Sequence, residues 1–278
     1  IIGYGRSGRN IHRHLLSQLP DLYEIVAYVD KDAQRQEMIK KENDCEVLSD
    51  YTELYGRNDI DFVINASFSH QHAPISIELL KHGFNVLSEK PAAGCGREFE
   101  EIMKVAKETN KFYYVFQQYR FSPSYQKVKE VINSGVLGRI LQINLNYSNF
   151  KRRWDWQTVQ AFRGGSLLNT GPHPVDQALD LMGFPDNVKV LCAMDRAHTY
   201  GDAEDYVKLI LISEGSPLLD VEITSTNAYA DYIYLVQGTR GTLKGTTEKL
   251  EWKYYIDSEQ EERTLIIEPL RNEKGEPI

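Results

Sequence analysis

Three groups of residues have types and spacings that could do chemistry. The first is Gly3-Tyr4-Gly5-Arg6-Ser7-Gly8, which matches G-x-G-x-x-G. In such a turn the first glycine permits a tight bend, the second lets a pyrophosphate approach the backbone, and the third lets helix and strand pack closely. A helix start there offers free N–H groups and a partial positive charge to phosphate. Asp30 lies 22 residues beyond Gly8, near the ~20 expected for a carboxylate that binds a ribose 2′-hydroxyl. Asp30 argues for NAD. Lys31 and Arg6 could instead salt-bridge the extra phosphate of NADP, or stand as solvated charges.

The second group is Glu89-Lys90-Pro91, at the end of an apolar run. Ligands of open α/β sheets bind beyond the carboxyl ends of the strands. A lysine placed there can polarise a substrate oxygen, and burial lowers its pKa. The same residues would also suit a surface lysine after a strand. The third group runs from Gly164 to Asp176 and holds Asn169, His173 and Asp176. Pro172 and Pro174 flank His173. Proline is tolerated only near a helix start, so His173 is expected in the first turn, at the exposed end of a helix. There its pKa is pushed down and it stays neutral, able to take a proton. His173 and Asp176 are three apart and would share a face.

These groups need elements to carry them. Residues 1–118 alternate strand-like and helix-like segments. Ile1–Ile2 leads into the glycine turn, and Ile11, Leu15, Leu16 and Leu19 form one face of the helix that follows. Runs at Tyr23–Val29, Phe62–Ala66, Phe84–Ser88 and Phe112–Phe116 read as strands, and Asp32–Asn43, His72–His82 and Arg97–Thr109 as helices. Alternation of this kind implies β-α-β units and a doubly wound parallel sheet. Beyond residue 118 strands dominate, at Leu141–Phe150, Val188–Met194, Tyr206–Ile212, Leu218–Ser225, Ile233–Gly238, Leu250–Ile256 and Thr264–Ile267. Helices are expected at Ser124–Asn133 and near Pro172–Met182. Several strands alternate apolar and polar residues, which suits an antiparallel sheet with one covered face. The expected fold is α/β: a Rossmann domain over 1–118, then an α+β domain over 119–278 with a mostly antiparallel open sheet. The first strand survives only as Ile1–Ile2, and Arg271–Ile278 reads as a loop, so a longer natural chain is expected at both ends.

Composition narrows the class. The 278 residues carry a net charge of -8, which gives no nucleic-acid footprint. Hydrophobic residues make up 41% and charged residues 26%, the balance of a globular protein. No apolar stretch is long enough to span a bilayer, and no signal peptide is expected. Cys45, Cys95 and Cys192 fall in no metal-ligand spacing, so no metal is expected. Three cysteines cannot all pair, which suits a reducing compartment. A cytoplasmic protein is expected.

In order along nearly the whole chain, these residues resemble the glucose–fructose oxidoreductase / inositol dehydrogenase (Gfo/Idh/MocA) family. The resemblance rests on the glycine fingerprint, Ala66-Ser67 with His72, Glu89-Lys90-Pro91, the Tyr119-Arg120-Phe121-Ser122-Pro123 segment, and Gly164 to Asp176 set against G-G-x-x-L-x-D-x-G-x-H-x-x-D. It implies an oxidoreductase that moves a hydride between a sugar or polyol carbon and NAD, or NADP. It places the catalytic lysine on Lys90 and the catalytic histidine on His173. The family's aspartate falls on Asn169, a departure, since an amide can orient a partner but cannot take a proton. Gly3, Gly5, Arg6, Ser7, Gly8, Asp30, Lys31, Ser67, His72, Glu89, Lys90 and Gln118 are then expected to hold the cofactor. Arg120, Trp154, Trp156 and Asp176 are expected at the substrate. The segment Phe150 to Trp156 reads equally as a solvated charge run with packed tryptophans. Two other functions remain open: a glycosidase that oxidises its substrate transiently with retained NAD, and a non-catalytic dinucleotide sensor. A homodimer or homotetramer built through the second sheet is implied by the resemblance.

Overall fold

The structure, a computed structural model, describes residues 1–278. After the glycine turn the chain winds as a wide π-helix, Arg6–Arg13, and continues as α1, His14–Leu16. The wide turn changes which side chains face inward. Gly8 and His12 are buried, while Leu15 and Leu19 are 43% and 45% exposed. The apolar face expected from 3.6-residue spacing is therefore not the buried one.

Strands β1 (Ala27–Val29) and β2 (Glu46–Leu48) pair in parallel, as do β3 (Phe62–Asn65), β4 (Asn85–Ser88) and β5 (Tyr113–Val115). Ile2 bridges Val29 on one side and Asn65 on the other, both in parallel, and so joins the two sets. Helices α2 (Ala33–Glu42), α3 (His72–Lys81) and α4 (Gly96–Glu108) connect them. Asp32 caps α2 by accepting from the Gln34 and Arg35 amides at 2.8 and 3.3 Å. This satisfies donors that a helix start leaves free. Ile2, Val63, Leu79, Val86 and Ile102 pack the core of this half. The β1, β3 and β4 strands all end on one edge, where Asp30, Ser67 and Lys90 follow.

The second half opens with α5, Pro123–Asn133. Its sheet holds β6 (Ile140–Ser148), β7 (Lys189–Asp195), β8 (Tyr206–Ile212), β9 (Leu218–Thr224), β10 (Tyr234–Gly238), β11 (Gly241–Gly245) and β12 (Leu250–Tyr254), in the order β12-β11-β10-β6-β9-β8-β7. Every pairing is antiparallel except β6 with β9. Two short segments, α6 (Ser166–Asn169) and α7 (Pro172–Met182), precede β7. Helices α5 and α7 cover one face, where Tyr125, Val128 and Ala178 meet Ile143, Leu145 and Val221. The other face carries polar residues, such as Lys208 paired with Asp220 at 2.6 Å. No helix is long and apolar enough to cross a membrane.

Three segments differ from the sequence expectation. Thr264–Ile267 forms no strand: it pairs with no other segment, and Leu265, Ile266 and Ile267 are 82%, 67% and 87% exposed. Strand β2 is only three residues long, too short to show alternation. Strand β11 is bounded by glycines and reads as a turn.

Candidate active site

The glycine turn, the ends of β1, β3 and β4, and one loop of the second half enclose a cleft of about 420 Å³. Glycine is required at two of its fingerprint positions by space. Gly3 has φ +90°, and a Cβ there would meet Ala66 O at 2.4 Å. A Cβ on Gly8 would meet Gly3 O at 1.9 Å. At Gly5 a Cβ would meet nothing within 4 Å. The protein thus leaves open space at the second glycine, where a pyrophosphate would approach. Arg6, Ser7, Asp30, Lys31, Ser67 and Lys90 line the same cleft. These residues fit a dinucleotide.

Asp30 is held rigidly. Its Oδ2 accepts from the Tyr4 amide at 2.8 Å and its Oδ1 from the Asp32 amide at 3.0 Å. Arg35 stands 3.5 Å from Oδ2, and Lys31 pairs with Asp50 at 3.2 Å. The Ser67 hydroxyl donates to Asn65 Oδ1 at 2.7 Å. His72 is 2% exposed, and its ring nitrogens lie 2.8 Å from Pro91 O and 3.0 Å from Ser67 O. It therefore ties the loop after β3 to the loop after β4. Gln118 does not line the cleft; its side-chain oxygen is buried with no partner.

Glu89 is buried and meets His12 Nε2 at 3.0 Å. Burial alone would raise its pKa. The hydrogen bond and charge of His12, with the charge and backbone amide of Lys90, more than offset this and hold the carboxyl below its ordinary value. His12 comes from the wide helix that follows the glycine turn, and nothing in the sequence spacing singles it out.

Lys90 follows directly, with a cis peptide to Pro91. Its Nζ donates to the main-chain oxygen of Asn169 at 2.7 Å. Burial pushes this ammonium below its ordinary pKa; Arg6 and Arg153 push the same way, and Glu89 opposes them. His173 occupies the second position of α7 but is only 7% exposed, not at an exposed end. Its ring stacks on Tyr119, centroids 4.2 Å apart, and its Nδ1 has no partner. Burial, then the charge of Lys90, push it down to about 4. The low value comes from desolvation and a neighbouring cation rather than from the helix end.

Beside this cleft lies a second, smaller one of about 150 Å³ whose lining contains no hydrophobic residue. Asn169, Thr170, Lys151 and Glu204 contribute to it, and Arg153 and Gln157 line both clefts. Gln157 donates to Asn169 Oδ1 at 2.8 Å. Neither Gln157 nor Glu204 stands out in the sequence.

The remaining expected substrate residues are placed elsewhere. Arg120 and Asp176 bind each other through two hydrogen bonds of 2.6 and 2.7 Å, and neither lines either cleft. Asp176 makes no hydrogen bond to His173, whose Nδ1 has no partner. Trp154 is 79% exposed. Trp156 lines the larger cleft and packs edge-on against Phe68, centroids 4.9 Å apart.

Comparison with known proteins agrees with this geometry. Residues 1–117 match the oxidoreductase family with an NAD-binding Rossmann fold, and residues 125–244 match the GFO/IDH/MocA C-terminal domain. The 2,7-anhydro-N-acetylneuraminate hydratase of Mediterraneibacter gnavus is 26% identical over 250 residues, 88% of this chain and 66% of its own. A scyllo-inositol 2-dehydrogenase (NADP+) of Bacillus subtilis is 28% identical over 227 residues, 79% of this chain and 62% of its own. The chain thus spans about two thirds of the length of these relatives. In structure it resembles the WlbA dehydrogenase of Bordetella pertussis in complex with NADH and UDP-GlcNAcA, with a TM-score of 0.80 and 23% identity over 93% of this chain and 78% of that one. With a glycine cradle shaped for NAD and both halves matched, the chain belongs to the Gfo/Idh/MocA family of NAD-binding oxidoreductases.

Proposed function

We propose that the chain is a dehydrogenase acting on a CH–OH group of a sugar or polyol. The observation that carries this reading is the 2.7 Å bond from Lys90 Nζ to Asn169 O. It joins a lysine of the cofactor cleft to a residue of the all-polar pocket, so one reacting carbon can face both. Bound NAD supplies the hydride acceptor. His173 lines neither cleft as they stand, but it is neutral near pH 7 and its buried Nδ1 has no partner, so it takes the hydroxyl proton in this reading once a substrate reaches the ring. Lys90 stabilises negative charge that develops on the substrate oxygen. Tyr119 holds the imidazole plane, and Asn169 orients the substrate. Residues 1–118 serve the cofactor and 119–278 the substrate.

The test follows NADH and NADPH formation over a panel of inositols, aldoses, sugar acids and amino sugars. Turnover that vanishes in Lys90→Ala and His173→Ala supports the reading. Silence on the whole panel, with cofactor bound, removes it.

A second reading is a reaction with no net change in NAD, such as hydration or glycoside cleavage through transient oxidation. It is favoured by the name of the M. gnavus relative, a hydratase. Product formation without NADH release would support it. Strand β7 is exposed on both faces along its length, with Leu191 65% exposed. This supports a homo-oligomer formed through the second sheet; a monomer in light scattering would remove it.

A further inference from the structure

Arginine carries hydrogen-bond donors only, so it fixes the direction of any chain of hydrogen bonds it starts. The Arg153 guanidinium donates to Asp155 Oδ2 at 2.6 Å and to Gln157 Oε1. Gln157 must then present Nε2 to its other neighbour, and it donates to Asn169 Oδ1 at 2.8 Å. The carbonyl end of the Asn169 amide is thereby engaged. What Asn169 offers the polar pocket is its pair of N–H donors. An aspartate here would offer a second acceptor oxygen instead.

A cation joins this donor. Past β6 the chain keeps to the sheet: Phe150 bridges Thr226, and the Asn149 and Lys151 amides donate to Thr224 O and Ser225 O. Alternate residues face opposite sides. Asn149, Lys151 and Arg153 line the polar pocket. Phe150 and Trp154 point outward, 66% and 79% exposed, and Arg152 lies over the Tyr200 ring at 4.0 Å. Arg153 is neutralised by Asp155. Lys151 is an exposed residue at the pocket's rim, and its ammonium has no carboxylate within 4 Å. Of the pocket's own acids, Asp205 is engaged by backbone amides through both oxygens and Glu204 through one. Asp205 accepts from the backbone amides of Ala197, His198 and Thr199 at 2.6, 3.0 and 2.8 Å, and Glu204 Oε1 from the Leu167 amide at 2.9 Å.

We propose that the polar pocket is a sugar-acid subsite, in which the Lys151 ammonium and the Asn169 amide N–H take the carboxylate of a hexuronic acid or related sugar acid. A carboxylate only accepts hydrogen bonds, and its bonds to charged donors are the strong ones. A neutral hydroxyl would satisfy Asn169 but would form no bond between opposite charges with Lys151. The proposal rests on the sugar-acting reading above and narrows its substrate class.

The test is calorimetric titration of the NAD-loaded protein with D-glucuronate and D-galacturonate, each against its parent hexose, with NADH formation followed in parallel. The expected result is affinity for at least one uronate about tenfold or more above its hexose. Lys151→Gln and Asn169→Asp each bring that ratio toward one. Arg152→Gln, next in sequence but facing outward, keeps it. Equal affinity in the unmodified protein, binding of neither sugar, or a ratio that survives Lys151→Gln overturns the subsite. Uronate binding without NADH formation leaves the subsite standing and removes the dehydrogenase reading. Turnover of neutral sugars with no preference for the acid does the reverse.

Discussion

The Lys90 side chain reaches 79 residues along the chain to the main-chain oxygen of Asn169, at 2.7 Å. The bond uses the backbone of Asn169, so it is indifferent to the side chain there. It survives the family's change from aspartate to asparagine. It also gives the ammonium a fixed position between two clefts at no cost to its other N–H groups. Lys90→Met keeps the apolar stem and removes the donor. Loss of a group acting on a developing oxyanion predicts a fall in kcat of about 10²–10³. KM should change far less. Steady-state kinetics on the substrate found by the panel checks this, and a fall of less than tenfold would remove Lys90 from the chemistry.

His173 makes a prediction about pH. Its folded pKa is pushed down to about 4, from an ordinary 6.5. Between those values the unfolded chain binds a proton that the folded chain refuses. Stability is therefore unaffected above about pH 6.5 and declines as pH falls toward 4. At the acid end the loss reaches about 3 kcal/mol, taking 1.36 kcal/mol per pKa unit. His173→Gln has no such proton to exclude. Urea midpoints of the two proteins measured from pH 7.5 to 4.5 should converge as the pH drops. Parallel curves would mean that His173 titrates normally.

Much of this was legible in the sequence, and the exceptions share a cause. Asp30 and Lys90 were singled out because each follows a short pattern, a glycine fingerprint or an apolar run, and Asn169 because the family resemblance sets an aspartate at its position. Gln157 and His12 belong to no such pattern. Each matters through a partner far off in the chain, as Gln157 does through Asn169 and His12 through Glu89, 77 residues away. Arg120 and Asp176 were placed at the substrate by family order, whereas their charges satisfy each other. The face of the first helix was misread because a π-turn shifts the phase, and no residue marks such a turn.

The glycines of the fingerprint separate folding from binding. A Cβ at Gly8 would stand 1.9 Å from Gly3 O, backbone that cannot retreat cheaply. Gly8→Ala should lower stability by several kcal/mol or prevent folding, in the range of steric changes at a fixed backbone. Gly5 has φ -76°, which alanine adopts freely, and open space around it. Gly5→Ala should unfold at the same temperature as the unmodified protein yet bind NADH far more weakly, because the methyl group fills the phosphate approach. Thermal unfolding with and without NADH reads both effects. Normal NADH affinity in Gly5→Ala would move the cofactor away from this turn.

Asp30 sets the choice between the two dinucleotides, and Asn is the informative replacement. Asp30→Asn keeps an oxygen for the buried Tyr4 amide and gives up only the bond from the Asp32 amide. It removes the negative charge and frees Arg35, now 3.5 Å from that carboxylate. Repulsion of a 2′-phosphate is thereby exchanged for attraction. NADPH affinity should rise about tenfold relative to NADH, the scale of one close charge–charge contact at a partly exposed site. Fluorescence titration with both reduced cofactors gives the ratio directly. An unchanged ratio would mean that the adenosine ribose lies elsewhere.

The His12–Glu89 pair should dominate the stability of the cofactor half. Both side chains are nearly inaccessible, 3% and 5% exposed. Removing one partner strands the other, which predicts a loss of about 3–5 kcal/mol for His12→Ala. The stranded group is a carboxylate directly before Lys90, so the damage reaches the lysine. Glu89→Gln in the same chain removes the stranded charge. The double variant should then lose less than the sum of the single losses, since contacting residues do not act additively. Urea unfolding of the four proteins closes this cycle. Additive losses would mean that the 3.0 Å contact carries no coupling, and that His12 serves only to fill space against Phe116.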